Sequence, residues 1–353
     1  MHIQSAIQHL IEGSCLSRSE MRVVMTSMMQ GQATDAQMGG FLVALSLRGE
    51  TIDEVLGAAE AIREMSPALE IPGIDLVDTC GTGGDGAHTF NISTASAIVA
   101  AAAGVPIAKH GSRSVSSRSG SADLLEAAGI NIELDARGVR ESIEAVGLGF
   151  LFAPQYHSAM RHVATPRREL GIRTIFNLLG PLTNPARAKR QVVGIFSLDW
   201  LEPYARILME LGTRHALVVH AEDGLDEISI HAPTHIAEVR DGQISTRVIY
   251  PEMFGIPSAS LKGLAVDGPI ESLKLIQNLF GGRRGPAFDI VALNAGAAIY
   301  VSGKTDTLEA GVRKAQEVLT EGLAEQKLEA LVRFSSTITQ RQSPQPTSTK
   351  HST

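Results

Sequence analysis

Residues Asp78–Ser96 read DTCGTGGDGAHTFNISTAS, with four glycines, two aspartates and a run of hydroxyl residues between two apolar segments. Gly81, Gly83, Gly84 and Gly86 let the backbone turn tightly and bring its N–H groups against an anion. An apolar run before and a helical pattern after make this a strand, turn and helix start, which adds a helix N-terminus to the turn. Two readings stay open on the stretch alone, a phosphate cradle and a purely structural turn. The spacing is not that of the dinucleotide fingerprint, whose glycines fall at the first, third and sixth positions, and no Gly-Lys-Ser/Thr closes a P-loop. Asn91, Ile92, Ser93 and Thr94 follow at the helix start, where helix capping and phosphate or metal-water contact are both open to the short polar side chains.

Working outward, short apolar runs alternate with helical periodicity from Ile74 onward, the signature of a largely parallel sheet wrapped by helices. Strands are expected at Asp75–Asp78, Val105–Ala108, Phe150–Ala153, Gln191–Phe196 and Ala216–His220, and a hairpin at Thr234–Tyr250 around Asp241-Gly242. Helices are expected near Ile92–Ala103, Ser121–Ala128, Val139–Val146, Leu201–Leu211, Pro269–Leu279, Asp289–Tyr300 and Thr305–Leu323. The N-terminal part differs. Ile3–Ile11, Arg18–Gln30, Asp35–Leu47 and Ile52–Met65 carry only helical periodicity, with Ser17, Thr34 and Thr51 at N-cap positions and Glu20 and Glu54 completing capping boxes. The fold class is therefore α/β, a small all-helical N-terminal domain over residues 1–72 plus a larger α/β domain with a mostly parallel sheet. Residues 335–353 are Ser, Thr, Gln and Pro without apolar period and read as a disordered tail.

The chain has 353 residues, enough to bury a large core, and is 44% hydrophobic with 4% aromatics. A net charge of −7 argues against nucleic-acid or acidic-membrane partners. Cys15 and Cys80 are too few for a disulfide framework, and neither a secretory start nor a spanning apolar stretch is present, so a cytoplasmic protein is expected. Cys80 reads as a small packing residue.

A second polar block, Lys109–Ser121 (KHGSRSVSSRSGS), directly follows a predicted strand and gathers three cations, His110 and six hydroxyls at the carboxyl end of the sheet. Anion binding is the stronger reading of it. Further on, Gly224-Leu225-Asp226-Glu227 sets two carboxylates side by side in a loop, either a solvated turn or a hard-oxygen metal pair.

These two glycine- and serine-rich blocks, with Phe150–His157, with Pro166–Pro185 (PRRELGIRTIFNLLGPLTNP) and with Gly224–Ser229, resemble the anthranilate phosphoribosyltransferases of tryptophan biosynthesis from Met1 to about Leu331. The resemblance implies transfer of ribose 5-phosphate from phosphoribosyl pyrophosphate to the amine of anthranilate, with diphosphate released and Mg²⁺ required. It implies that Gly81, Gly84, Asp85, Thr89 and Asn91–Thr94 line phosphoribosyl pyrophosphate. Lys109, His110, Gly111, Ser112, Arg113, Ser114, Val115, Ser116, Ser117 and Ser121 would close round its phosphates, with Lys109 as the neutralising charge. Ser93, Asp226 and Glu227 would hold the metal. Arg167, rather than Arg168 or Arg173, would take the carboxylate of anthranilate, with Gly81, His110, Ser112, His157 and Pro181 around its ring.

The same likeness implies that residues 159–182 rejoin the helical domain, leaving 73–158 and 183–334 to the α/β domain, and that the chain is a homodimer. Ser112 departs from the family, which usually has asparagine there. A pyrimidine nucleoside phosphorylase, sharing the architecture, would not need the Asp226-Glu227 pair, and a non-catalytic sensor would not need Lys109, Asp226 and Arg167 together.

Overall fold

The computed structural model describes residues 1–84, 86–114 and 118–342. Helices Ile3–Ile11, Arg18–Met29, Asp35–Arg48 and Ile52–Met65 open the chain. Ser17 with Glu20 and Thr51 with Glu54 form the expected capping boxes, and Thr34 forms a third with Gln37. Each box satisfies two donors that a helix start would otherwise leave orphaned. The wholly buried Glu54 also takes the Leu16 N–H at 2.9 Å and the Arg48 guanidinium at 2.5 Å, tying the first linker into the bundle.

Seven strands follow, β1 Val77–Gly81, β2 Ile107–Gly111, β3 Leu148–Phe152, β4 Arg190–Gly194, β5 His215–Ala221, β6 Thr234–Arg240 and β7 Gln243–Ile249. Their order is β3-β2-β1-β4-β5-β6-β7, parallel from β3 through β5, with β6 and β7 antiparallel. The β6–β7 turn carries Asp241 and Gly242 at positive φ, as a two-residue hairpin requires. The chain steps outward from β1 in both directions, to β2 on one side and β4 on the other. The carboxyl ends of β1, β2 and β4 thus flank a topological switch point, the place where open α/β sheets hold ligands.

Alternation along the strands splits the core. Val192 faces one way with helices Ile92–Ala102 and Pro286–Val301, while Val193 and Val218 face the other way onto Leu201–Glu210 and the N-terminal bundle. Val163, Ile175, Phe176, Leu178, Leu179 and Leu182 enter that second cluster beside Met25, Phe41 and Ile62.

Several boundaries differ from the sequence reading. β1 and β2 run into Gly81 and Gly111, which look like loop in the sequence. A Cβ on Gly81 would collide with the Asp226 carboxylate, and one on Gly111 with Ser121 and the Phe150 ring, so these glycines answer to tertiary crowding. The helix expected over Thr305–Leu323 is Leu308–Thr320, and Gly322, at positive φ, separates it from another, Leu323–Gln342. That last helix corrects the expectation of a disordered tail from Ser335. Ser335 and Ile338 are buried, Ile338 packs with Val139 and Ile143, and the Ser335 hydroxyl accepts the Asn131 N–H at 3.2 Å. Its polar residues suit a helix because Ser336, Thr337 and Thr339 donate to carbonyls four residues back. The rest of that expected tail, 343–353, lies outside the described residues.

Candidate active site

The turn after β5 is pinned before it presents its carboxylates. Asp223 accepts from the Leu225 N–H at 3.2 Å and the Ser229 hydroxyl at 2.6 Å, while Asn294 bonds both the N–H and the carbonyl of Ile228 at 2.9 Å. Asp226 is buried and Glu227 half-buried in this loop. The Asp226 carboxylate accepts the Gly83 N–H at 2.7 Å, joining the Asp226-Glu227 loop to the glycine-rich loop. Gly81 on β1 and Gly194 on β4 leave the room it occupies, since a Cβ on either would overlap Asp226.

Lys109, near the end of β2, is 2% exposed, and its ammonium donates to the Thr79 carbonyl at 2.6 Å and to the Ser93 hydroxyl at 3.4 Å. A buried ammonium is tolerable only with such partners. Beneath it, burial pushes the carboxyl of Asp78 up while the Lys109 charge opposes the shift. Asp78 accepts the His110 N–H at 3.3 Å and the Asn184 amide at 2.8 Å, which anchors the end of β2 to the segment after Leu182. Burial also pushes the Cys80 thiol up, and the Asp78 carboxylate adds to the shift. Cys80 keeps its packing role against the bundle.

Ser93, Asp226 and Glu227 offer a hydroxyl and two carboxylates, with the Asp226 carboxylate seated in the space that Gly81 leaves. Among the described residues no three His, Cys, Asp or Glu gather as a metal cluster. A sparse set of hard oxygens fits Mg²⁺, which retains water and shares phosphate oxygens, and does not fit zinc.

The other expected phosphate contacts are placed unevenly. Thr89 bridges Ala265, half-buried beside the loop. Asn91 does not cap its helix; its amide donates to the Ser119 carbonyl at 3.0 Å and its oxygen accepts from Ser119 at 2.8 Å and Ser272 at 2.7 Å, stitching the two polar blocks together. Ile92 and Thr94 are buried, the Thr94 hydroxyl without a hydrogen-bond partner among the described residues. Arg113 pairs with Asp123 at 3.2 Å and Glu126 at 2.7 Å. Ser121 opens the helix Ser121–Ala127 and donates to the Ser112 carbonyl at 3.4 Å. Asp85, Val115, Ser116 and Ser117 lie outside the described residues.

On the far side of His110 an apolar cavity of about 450 Å³ opens, lined by Ile62, Ser112, Met160, Arg167, Phe176, Leu179 and Gly180, with His110 and His157 at its wall. The two imidazoles meet edge to face with centroids 5.0 Å apart and Nε2 atoms at 3.2 Å. Burial depresses His110 to about 3 and His157 to about 4, so both are neutral at pH 7. Arg167 lies 4.8 Å over the Phe176 ring, and burial lowers its pKa. Among the described residues it has no ion-pair partner. The cavity therefore offers the Arg167 guanidinium in an apolar slot, with the exposed Arg161 also at its lining, which suits a planar carboxylate.

Arg173, the rival to Arg167, stands elsewhere, donating to the Gly84 carbonyl and packing 4.7 Å over Phe196, and Arg168 is exposed. Two expected ring contacts do not line this cavity. Pro181 is buried, its carbonyl accepting from Gln191 at 3.0 Å, and Gly180 takes the lining position instead; Gly81 lies against Asp226. Sequence reasoning missed Asp123, which accepts the N–H groups of Ser114 and Gly120 at 3.0 and 2.9 Å and so shapes the serine-rich loop. Its place three residues after Gly120 at a helix start is the capping signal that marks it. Ser66, on His157, carries no such signal.

A two-domain glycosyl transferase is the class that this bundle, sheet and crevice define. The glycosyl transferase family helical bundle domain matches residues 4–66, and the glycosyl transferase family a/b domain matches residues 73–325. Among curated relatives, anthranilate phosphoribosyltransferases of Thioalkalivibrio sulfidiphilus and Methylococcus capsulatus are 55% and 56% identical, over 95% of this chain and 99% and 98% of theirs. The crystal structure of anthranilate phosphoribosyltransferase from Thermus thermophilus superposes with a TM-score of 0.88 at 47% identity, covering 94% of this chain and 99% of that one. The Saccharomyces cerevisiae enzyme in complex with PRPP and Mg gives 0.85 at 28% identity, covering 95% and 98%. The same yeast enzyme with 4-fluoroanthranilate gives 0.85 at 26%, again covering 95% and 98%. The chain belongs to the anthranilate phosphoribosyltransferase family.

Proposed function

We propose that the chain transfers the 5-phosphoribosyl group from phosphoribosyl pyrophosphate to the amine of anthranilate, releasing diphosphate and forming N-(5-phosphoribosyl)anthranilate. The observation that carries this reading is the pair of unlike half-sites meeting at Lys109-His110, charge and backbone donors on one side and a largely apolar slot holding Arg167 on the other. As the sugar carbon becomes cationic and the leaving diphosphate gathers charge, catalysis rests on positioning and electrostatics, with no protein nucleophile. The N-terminus of Ile92–Ala102 and the Gly-rich backbone face the phosphates, and the buried Lys109 lends its charge from beneath through Ser93. When bound, Mg²⁺ neutralises diphosphate charge; Ser93, Asp226 and Glu227 would hold it. Arg167 takes the anthranilate carboxylate, and the apolar wall keeps water from the amine. His110 and His157, being neutral, add no positive charge against the sugar cation.

The test follows loss of anthranilate fluorescence with phosphoribosyl pyrophosphate and Mg²⁺, beside phosphate-dependent cleavage of thymidine and uridine. Turnover is expected in the first arm alone, and turnover only in the second removes the proposal.

The division into 1–72 with 159–182 against 73–158 with 183–334 belongs to the same proposal, supported by the packing of Val163, Ile175 and Leu179 beside Met25, Phe41 and Ile62 in a cluster that also takes in Val193 and Val218 of the sheet. So does a homodimer through the helical domain, which leaves Ile11, Val23 and Leu47 exposed; a single-chain mass in sedimentation equilibrium would refute it. A cytoplasmic setting fits a chain in which, among the described residues, no helix is long and apolar enough to cross a membrane; fractionation of the producing cell tests it.

A further inference from the structure

On the reading of this crevice as the phosphoribosyl pyrophosphate site, we infer that Ser272 is a positioning residue. Its hydroxyl holds Asn91 out of capping geometry and so keeps the first-turn N–H groups of helix Ile92–Ala102 open for a phosphate. Asn91 stands at the N-cap, since its carbonyl accepts the first helical bond, from the Ala95 N–H at 2.9 Å. An asparagine there normally turns its side-chain oxygen onto the N–H two or three residues on. Asn91 makes no such bond, and among the described residues the Ser93 and Thr94 N–H groups have no acceptor.

Other helix starts in the chain show what Asn91 forgoes. Ser17, Thr34, Thr51, Asp135 and Thr307 cap their helices at ψ of 160°, 159°, 163°, 173° and 156°, the extended backbone that a capping residue takes. Asn91 has φ −71° and ψ 73°, the centre of an inverse γ-turn closed by the Ile92 N–H on the Phe90 carbonyl at 2.7 Å. Ser272, wholly buried on the helix Pro269–Phe280, grips this turn at two points. Its oxygen accepts the Asn91 N–H at 3.1 Å, and its hydroxyl donates to Asn91 Oδ1 at 2.7 Å. The Asn91 amide cannot be turned round, because Nδ2 faces the Ser119 carbonyl at 3.0 Å, where an oxygen would have no hydrogen to share.

The helix therefore opens without its own cap at the place where the diphosphate brings acceptors. An anion there meets two free N–H groups and the positive end of the helix dipole. Without the Ser272 hydroxyl, Oδ1 keeps only the Ser119 hydroxyl and the Asn91 N–H loses its acceptor. Rotation of ψ to the extended value then lets Asn91 cap its own helix and occupy the donors that the phosphate needs. Ser272 thus acts on the substrate through Asn91 without touching it.

The test measures phosphoribosyl pyrophosphate binding with Mg²⁺ by calorimetry in the full-length protein and in Ser272→Ala, beside crystal structures of both without substrate. Ser272→Ala should weaken binding about tenfold, the worth of one cap, with the anthranilate KM within about twofold of the unaltered value. Its Asn91 oxygen should lie on the N–H of Ser93 or Thr94. A variant that merely folded less well would lower the fraction of binding sites and keep its Kd, so the Kd separates positioning from a structural role. An unchanged Kd, or an Asn91 left in place in the variant, would overturn the inference. So would a complex of the unaltered protein in which no phosphate oxygen reaches the Ser93 or Thr94 N–H, a result that needs no variant. Calorimetry needs no anthranilate, so a chain that binds phosphoribosyl pyrophosphate without transferring it refutes the proposed function and leaves this inference to the two Kd values. A chain that does not bind it sinks both.

Discussion

On one side of the end of β2, Asp226 is locked to Gly83, Lys109 is buried on Thr79 and Ser93, and a helix N-terminus faces the same crevice. On the other side, two histidines are neutral and Arg167 lies on an aromatic ring with no carboxylate partner among the described residues. In the proposed transfer the first wall would stabilise the charge that moves, and Lys109 and Asp226 are already hydrogen-bonded, so they would need no reorganisation. The second wall is largely apolar and leaves the Arg167 charge to be met by its ligand. Damage to the first should therefore fall on the chemical step, and damage to the second on acceptor binding.

The largest effect is expected from Lys109→Met, which keeps the buried stem and deletes the ammonium. kcat should fall roughly 10²- to 10³-fold in the anthranilate assay, as for loss of one preorganised charge donor. A fall under threefold in a variant that melts like the unaltered protein would break the contrast between the walls. Next, Arg167→Ala should raise the anthranilate KM about 10- to 100-fold, the range of one charged hydrogen bond. Arg173→Ala, which frees the Gly84 carbonyl, should instead raise the KM of phosphoribosyl pyrophosphate. Exchanged phenotypes would reassign the two arginines.

A smaller, sharpening effect is expected at Ser112, where the family usually has asparagine. Ser112 lines the cavity, and its carbonyl is already used by the Ala122 N–H at 3.2 Å. Ser112→Asn should lower the anthranilate KM by about two- to tenfold, one neutral hydrogen bond; an unchanged KM removes the idea.

The mildest effect concerns pH. His110 and His157 titrate at about 3 and about 4 in the folded chain against about 6.5 unfolded. Between those values the unfolded chain binds more protons, so the two rings lower stability as pH falls below about 6.5, and they leave it untouched above. Thermal melts from pH 8 to 5 should show that decline, weakened in His157→Gln. A melting profile identical in the two proteins would contradict the buried, neutral pair.

Much of the first wall is legible in the sequence because it is local. The capping serines and threonines, the glycine run and the Asp226-Glu227 pair announce themselves within a few residues. What escapes is set by partners distant along the chain. Gly81 and Gly111 belong to strands because Asp226 and Ser121 fill the space of their side chains. Asn91, expected at a ligand, is spent on Ser119 and Ser272. Pro181 is buried while Gly180 lines the cavity, a one-residue distinction that only packing decides. The helix through Gln342 was hidden because its serines and threonines serve its own carbonyls, which composition alone reads as disorder.

The most direct measurement is the kinetics of Asp226→Asn and Arg167→Ala with both substrates and Mg²⁺ varied. Asp226→Asn should lower kcat/KM for phosphoribosyl pyrophosphate about 10²-fold and raise the Mg²⁺ requirement with the anthranilate KM unmoved, and Arg167→Ala should do the reverse. Equal losses toward both substrates in both variants would contradict a site made of two separate walls.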